Sequence, residues 1–181
     1  MPNKQILAFT GLIASGKGTA AKYFIKKYNA VTFRFSTSMR DVLDRLYLEQ
    51  SRKNMSDISK VLRETFGQNL FSNVIANDAA KSKSTLVVID GVRRSYDLEA
   101  LKQIDGFQLI GIEVDMKTRF ERLKKRGENA DDTSKTWEQF QTDHKLETEV
   151  YIPELLKQVD ISIDNNGLLE DLYKQLDKLV K

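Results

Sequence analysis

Apolar residues along the chain alternate between short continuous runs and longer stretches with helical spacing. The short runs have the length of β-strands and cover residues 6–10, 31–35, 86–90, 109–115 and 160–163. Between them, apolar positions recur every three or four residues over 17–27, 37–49, 57–66, 70–81, 96–103, 117–126, 136–150 and 168–180. This alternation predicts one α/β domain, with a parallel sheet of about five strands and helices on both faces.

The segment between the first strand and the first helix carries the clearest chemical signal. Residues 11–17 read GLIASGK and fit the phosphate-loop pattern G-x-x-x-x-G-K. A chain that wraps a polyphosphate points its N–H groups inward, and glycine lets the backbone approach closely. The following helix adds unsatisfied amides and its dipole, and Lys17 reaches the β- and γ-phosphates as a point charge. We therefore predict a nucleoside triphosphate site formed by Gly11, Ala14, Ser15, Gly16, Lys17, Gly18 and Thr19.

The usual pattern places Ser or Thr directly after the lysine, where its hydroxyl binds magnesium. Here Gly18 intervenes and Thr19 follows. We assign the expected Mg²⁺ contact to Thr19.

Composition narrows the classes of protein. The 181 residues contain no cysteine, which excludes disulfides, thiolate zinc sites and a cysteine nucleophile. A net charge of +3 with 30% charged residues of both signs does not favour nucleic acid as the main ligand. Because no apolar run approaches a membrane span and the N-terminus lacks a signal-like region, we expect a cytoplasmic protein without a membrane partner.

The GKGT sequence at residues 16–19 resembles adenylate kinase and other nucleoside-monophosphate kinases. Residues 35–43, FSTSMRDVL, resemble the acceptor-side segment of that family. The resemblance implies that Ser36 and Arg40 face the acceptor and that Arg40 holds its phosphate. Taken alone, the segment also fits an ordinary helix N-cap with an exposed arginine.

The strand at 86–90 ends in Asp90 and continues as GVRR. An acid at the carboxyl end of a buried parallel strand lies where open sheets bind ligands, so Asp90 is placed to face magnesium. The DGVRR sequence resembles the DGFPR of adenylate kinases, which implies that Arg93 or Arg94 meets the acceptor phosphate. A turn with solvated arginines is the plainer alternative.

Arg119, Arg122 and Arg126 are three and four residues apart and share one helical face. With Asp131 and Asp132 after them, they resemble the arginine-bearing lid of these kinases. Asn129 and Ala130 stand where related sequences often carry another arginine. A basic face without a catalytic role is the alternative, and we expect the polar stretch 127–135 to form a mobile flap.

Residues 159–172 resemble the closing segment of dephospho-coenzyme A kinases. The resemblance implies that the loop containing Asn165 and Gly167 passes beside the adenine. Asp164 also fits a simple turn.

The motifs GKG, LRETFG, DGVR, TRFERLKKRG, DD and W-E-x-F together are most similar to an archaeal-type branch of nucleotide kinases to which no substrate is assigned. For Arg63, within LRETFG, a substrate contact and a surface ion pair both remain open. We expect His144 to be an ordinary surface residue, and Trp137 and Phe140 to pack the lid helix.

The resemblance as a whole implies a P-loop kinase that transfers the γ-phosphoryl of Mg-ATP to a small acceptor, most simply a nucleotide. Its catalytic residues would be Lys17, Asp90, Arg93, Arg122 and Arg126, with Arg122 also against the donor. A helical acceptor region would span about 37–82 and a lid about 119–148. The alternatives are a dephospho-coenzyme A kinase and a regulatory protein that binds ATP and hydrolyses it slowly.

Overall fold

A parallel sheet lies at the centre of the computed structural model, which describes residues 4–126 and 132–180, apart from the side chains of Arg52, Glu147 and Thr148. Within these residues five strands pair in the order β2-β3-β1-β4-β5, every neighbour parallel. They are β1 (Gln5–Thr10), β2 (Val31–Arg34), β3 (Leu86–Asp90), β4 (Phe107–Glu113) and β5 (Ile161–Asp164). The predicted fold class is confirmed.

The central strand β1 positions the site. Its residue Phe9 pairs with Asp90 of β3 on one side and with Ile110 of β4 on the other. The carboxyl ends of the strands therefore meet at one edge, where parallel sheets bind ligands. Strand β4 begins and ends two residues before the predicted 109–115, because its pairing with β1 starts at Phe107.

The described helices agree with the helical spacing in most places. They are α1 (Lys17–Tyr28), α2 (Phe35–Arg45), α3 (Arg52–Phe66), α4 (Leu70–Lys81), α5 (Met116–Arg126), α6 (Trp137–Asp143), α7 (Glu147–Val150), α8 (Ile152–Leu156) and α9 (Leu169–Asp177). Helix α4 has the predicted bounds, and α3 ends where predicted, with Gly67 at φ 105° as its C-cap. None of the helices in the described part of the chain is long and apolar enough to cross a membrane.

Four helix predictions need correction. Helix α2 already begins at Phe35, so Ser36 lies in its first turn and not at an N-cap. Helix α3 begins at Arg52 because the Ser51 hydroxyl accepts from the Asn54 amide. The predicted helix 96–103 is wrong, since two 3₁₀ turns, Ser95–Asp97 and Leu101–Gln103, occupy this region. The single helix predicted over 136–150 is divided into α6 and α7.

The two faces of the sheet carry separate apolar cores. On one face Phe24 of α1 and Leu176 of α9 pack with Phe9 and Ile112. On the other, Phe71 of α4 packs with alternate residues of the same strands and with side chains from α2 and α8. Both faces of the strands are thus covered, which explains their continuous apolar runs.

Helices α1 and α9 are joined by a polar cluster at their ends. Asp177 accepts hydrogen bonds from Tyr23, Tyr28 and Lys27 at 2.6 to 2.8 Å. The hydrogen bond from Lys27, followed by those from the tyrosines, lowers the pKa of Asp177 to about 2. The rings of Tyr23 and Tyr173 stack with centroids 4.0 Å apart.

Candidate functional site

The loop between β1 and α1 has the backbone that the glycine pattern predicts. Gly16 has φ 109°, and Ala14 also adopts a left-handed conformation at φ 60°. A Cβ on Gly16 would lie 2.5 Å from Asn165 Nδ2, and one on Gly11 would lie 2.5 Å from the Ile112 carbonyl oxygen. Close packing and positive φ both require glycine at position 16.

Lys17 is buried at the start of α1 with 9% of its surface exposed. Its Nζ donates to the carbonyl oxygens of Gly11 at 2.5 Å and Leu12 at 3.1 Å. Burial, together with the charge of Arg93, lowers the pKa of Lys17 to about 8, against opposing effects of Glu149 and Asp90. The Lys17 ammonium is therefore bound by backbone carbonyl groups of the phosphate loop, and it has lost much of its hydration.

Two observations fit a polyphosphate in this loop. The Ser15 hydroxyl is buried and has no hydrogen-bond partner among the described residues. The backbone conformations at Ala14 and Gly16 are of the kind that forms anion-binding concavities. Together with the start of α1, the loop is suited to bind phosphate oxygens.

Charged residues from distant segments converge on Lys17. The charges of Arg93, Asp90 and Arg126 all act on the pKa of Lys17, and these four residues are among the five predicted to be catalytic. The DGVRR segment is fixed to β1 because the Phe9 carbonyl oxygen accepts from the amides of Gly91 and Val92. The Thr10 hydroxyl also donates to the Val92 carbonyl oxygen at 2.9 Å.

Asp90 forms an ion pair that the sequence did not indicate. Arg34, the last residue of β2, places both Nε and Nη2 2.8 Å from Asp90 Oδ2. A Cβ on Gly18 would lie 3.5 Å from Arg34 Nη2, so the guanidinium lies beside the position where the usual pattern has a hydroxyl. Thr19 is exposed on α1. No cluster of three or more potential metal ligands occurs among the described residues, so the magnesium contacts of Thr19 and Asp90 stay predictions.

Asp97 is a buried carboxylate that supports the DGVRR segment. Its Oδ2 accepts from the amides of Arg93 and Arg94 at 3.2 and 3.1 Å, and its Oδ1 lies 3.0 Å from Arg63 Nη2. Arg63 is 6% exposed and also donates to the Gln68 carbonyl oxygen. The surface ion pair considered for Arg63 is therefore wrong, and its buried position gives no support to a substrate contact.

Glu149 of α7 contacts the phosphate loop, although no sequence pattern indicated it. It is 3% exposed, and its Oε2 accepts from the amide of Ile13, within the phosphate loop, at 2.7 Å. Its Oε1 forms an ion pair with Nη1 of Arg93. The motif pattern contains no signal for this residue, because its role depends on contacts across 136 and 56 positions of sequence.

Arg119 and His144 tie α5 and the end of α6 to the loop. Arg119 is buried, its Nη1 lies 3.3 Å from the Ile13 carbonyl oxygen, and desolvation lowers its pKa. His144 Nε2 accepts from the same Nη1 at 2.8 Å, and its ring packs edge-on against Phe140. The expectation of an ordinary surface histidine is therefore wrong. The packing of Trp137 on Phe140 and Phe120 is confirmed.

The remaining lid residues are only partly described. Arg126 lies 3.6 Å from the buried Asp132, and Arg122 is half-buried. Asp131, with Gly127 to Ala130, lies outside the described residues. Within residues 132–135, Asp132 and Lys135 are buried and Lys135 pairs with Asp143 at 2.6 Å, whereas Thr133 and Ser134 are exposed. The mobile flap over 127–135 stays a prediction.

The residues predicted to contact the phosphoryl acceptor and those predicted to contact the adenine lie at two further places. Arg40 is exposed on α2 and donates to Gln50. Ser36, one turn earlier on the same helix, is half-buried, and Arg94 after β3 is half-buried too. Asn165 is buried and its Nδ2 donates to the Ser15 carbonyl oxygen at 2.8 Å, whereas Gly167 is exposed. Next to them, a cleft of about 350 Å³ opens at the carboxyl ends of β4 and β5, lined by Glu113, Val114, Asp115, Ser162, Asp164 and Asn166.

A family profile described as an AAA domain, AAA_17, matches residues 10–141, which include the phosphate loop, Asp90 and most of the lid region. The chain belongs to the AAA_17 family. Its sheet order, its glycine-lined loop and its solved neighbours make this AAA_17 domain a P-loop domain of the kinase-like type.

Curated relatives of this AAA_17 chain are UPF0200 proteins of archaea. The protein of Sulfurisphaera tokodaii is 29% identical over 98% of this chain and 96% of its own length. That of Methanocaldococcus jannaschii is 28% identical over 97% and 89%, respectively. The predicted resemblance to an archaeal-type branch is confirmed.

Solved structures share the fold of the AAA_17 chain at low identity. TT1252 from Thermus thermophilus has a TM-score of 0.64 at 15% identity and covers 98% of this chain and 96% of that one. Shikimate kinase from Bacteroides thetaiotaomicron has a TM-score of 0.61 at 14% identity, over 97% and 96%.

Proposed function

We propose that this AAA_17 protein is an ATP-dependent small-molecule kinase whose phosphoryl acceptor is a nucleotide or a nucleotide-like phosphate ester. The observation that carries the proposal is the buried Lys17 at the start of α1, bound by a phosphate loop that also contacts Glu149 and, through it, Arg93. Phosphoryl transfer needs mainly positioning and positive charge, and this arrangement supplies both.

The donor would bind with its triphosphate in the loop between β1 and α1. There the loop amides and the Lys17 ammonium would replace water around the β- and γ-phosphates. Lys17 would exchange its two carbonyl acceptors for phosphate oxygens. Loss of the Lys17 ammonium should lower the rate on the order of 10²-fold or more.

In the reaction an acceptor oxygen would form a bond to the γ-phosphorus while the bond to the β–γ bridging oxygen breaks. The electron pair leaves with ADP. Arg93 and Arg126, both close enough to influence Lys17, would stabilise the charge on the transferred group, as predicted for the lid residue Arg122. Magnesium would add further charge neutralisation, with Thr19 and Asp90 as the proposed contacts.

The acceptor side favours an anionic group. Arg93 and Arg94 follow β3 at the sheet edge, and Arg40 lies on α2. A guanidinium binds two phosphate oxygens at once, which suits an acceptor that already carries a phosphate. Such an acceptor needs no strong base, because its attacking oxygen is already ionised.

An acceptor panel tests the proposal. The protein is incubated with Mg-ATP and, separately, nucleoside monophosphates, nucleosides and dephospho-coenzyme A, and ADP release is followed together with mass spectrometry of the acceptor. We expect ADP and a phosphorylated product in equal amounts with one class of phosphate-bearing acceptor, and none with Lys17→Met. Lys22→Met, on the exposed side of α1, is the matched control and should keep the wild-type rate. Phosphate release that no acceptor changes would overturn the kinase and indicate a regulatory ATPase.

A further inference from the structure

The carboxylate of Glu149 lies at the proposed polyphosphate site, which amides and cations ordinarily line. It contacts the Ile13 amide and Arg93, and it raises the pKa of Lys17 more than Asp90 does. Its charge also acts on Arg119. Glu149 thus interacts with one loop amide and with three cations, which are Lys17, Arg93 and Arg119. A phosphate group binds the same kinds of partners.

The position of this carboxylate is well determined by packing. Glu149 is 3% exposed, and its backbone amide donates to the Leu146 carbonyl oxygen at the start of α7. The backbone of Ile13 is held at two points, because its N–H donates to Glu149 and its carbonyl oxygen accepts from Arg119. Two side chains, the negative Glu149 and the positive Arg119, therefore connect α7 and α5 to the phosphate loop.

We propose that Glu149 sets the affinity of the donor site, because its carboxylate competes with the donor's terminal phosphate for the Ile13 amide and for Arg93. The proposal rests on the proposed function, in that ATP is the donor. A buried charge of the same sign close to the terminal phosphate opposes its binding, and the carboxylate must leave the amide when the phosphate takes its place. ATP binding would then transfer Arg93 from Glu149 to the phosphate that is to be transferred.

The arrangement of Glu149 and Arg93 argues against a role for Glu149 as a general base. A carboxylate whose two oxygens are occupied by a loop amide and a guanidinium has neither oxygen directed at a substrate proton. We therefore treat Glu149 as a positioning residue. Its effect should appear first in donor binding.

Titration calorimetry with Mg-ATP and its non-hydrolysable imido analogue tests this inference. We expect Glu149→Gln, which keeps the shape and removes the charge, to bind both about tenfold or more tightly than the wild type, since unit charges about 5 Å apart interact strongly even at an effective dielectric of about 20. Glu154→Gln is the matched control, because Glu154 is exposed on α8 and pairs with Lys157. Equal or weaker binding by Glu149→Gln would overturn the proposal, since a merely structural role gives no gain in affinity.

Arg93→Met tests the same inference with Glu149 in place. Without its guanidinium partner, the Glu149 charge is less neutralised, so ATP affinity should fall about tenfold. The double variant Glu149→Gln/Arg93→Met should recover most of that loss. Unchanged affinity in Arg93→Met would overturn the inference. Absence of ATP binding by the wild type would instead overturn the proposed function.

Discussion

Lys17 combines a buried position with a charge that the proposed reaction needs. Its pKa falls from 10.5 to about 8, mainly because burial disfavours the ammonium. The carbonyl oxygens of Gly11 and Leu12 are its hydrogen-bond partners. Phosphate oxygens would stabilise the same ammonium far better, so nucleotide binding and protonation of Lys17 are linked.

This linkage predicts a pH dependence of ATP affinity with a definite sign. Above pH 8 the free protein increasingly carries neutral Lys17, whereas the complex favours the ammonium, so binding must take up a proton. We expect the affinity for ATP to weaken above pH 8, by up to about tenfold for each further pH unit. Calorimetry between pH 7 and 9, in buffers of different ionisation enthalpy, measures both the affinity and the proton uptake.

Lys17→Arg is the control for this pH dependence, because arginine keeps its charge throughout the range. Its ATP affinity should be nearly constant between pH 7 and 9. A wild-type profile as flat as that of the arginine variant would show that Lys17 does not titrate near pH 8.

At the level of elements, the 3₁₀ turn Ser95–Asp97 supports the two arginines proposed to bind the acceptor. Asp97 binds the amides of Arg93 and Arg94 on one oxygen and the guanidinium of Arg63 on the other. One short turn thereby connects α3 to the end of β3. The turn therefore contains a buried ion pair in addition to its apolar contacts.

Removal of the Asp97 carboxylate should destabilise the protein strongly. Asp97→Ala leaves the Arg63 guanidinium buried without its partner, and we expect the free energy of unfolding to fall by about 3–5 kcal/mol. Urea denaturation followed by circular dichroism measures the change. Asp57→Ala, which breaks the exposed pair with Lys53 on α3, should cost about 0–1 kcal/mol.

A double variant separates the ion pair from other roles of this turn. Arg63→Met in the Asp97→Ala background removes the buried charge and should restore part of the lost stability. If Asp97→Ala is no more destabilising than Asp57→Ala, then the buried pair does not hold the turn.

The sequence was sufficient for the elements that short-range patterns define. Buried strands such as Leu86–Asp90 and the regular helix Leu70–Lys81 have the predicted bounds. The same spacing failed over 96–103, because i, i+3 contacts also suit consecutive 3₁₀ turns around a buried acid. Within the site, the glycine pattern located Lys17, but Arg34, Asp97 and Glu149 act through partners distant in sequence and left no local signal.

On the scale of the whole molecule, the phosphate loop is closed by the C-terminal part of the chain. Asn165, just after β5, donates to the Ser15 carbonyl oxygen across 150 positions of sequence. The same amide nitrogen fills the space where a side chain at Gly16 would lie. The loop and the last strand are therefore complementary in shape.

This complementarity predicts non-additive effects of substitution. Gly16→Ala places a methyl group against Asn165 and strains the backbone at φ 109°, so stability and ATP binding should both decrease, with about 1–3 kcal/mol from the strain alone. Asn165→Ala should cost about 1–3 kcal/mol because the buried Ser15 carbonyl oxygen loses its donor. In the double variant the contact is absent, so the combined loss in thermal unfolding should be smaller than the sum.

Gly91→Ala is the matched control for the steric part. Gly91 also has a positive φ, 92°, but a Cβ there would meet nothing within 4 Å. Its cost should be the same with or without Asn165. Strict additivity of Gly16→Ala and Asn165→Ala would contradict the proposed packing.

The chain's single tryptophan has a practical consequence for measuring movements of the protein. Trp137 of α6 packs edge-on against Phe120 of α5, with ring centroids 5.3 Å apart. Emission from this indole therefore reports on one known junction, between the helix that carries the lid arginines and the helix that follows it. Rearrangement of that junction should be visible as a change in intrinsic fluorescence, without any attached dye.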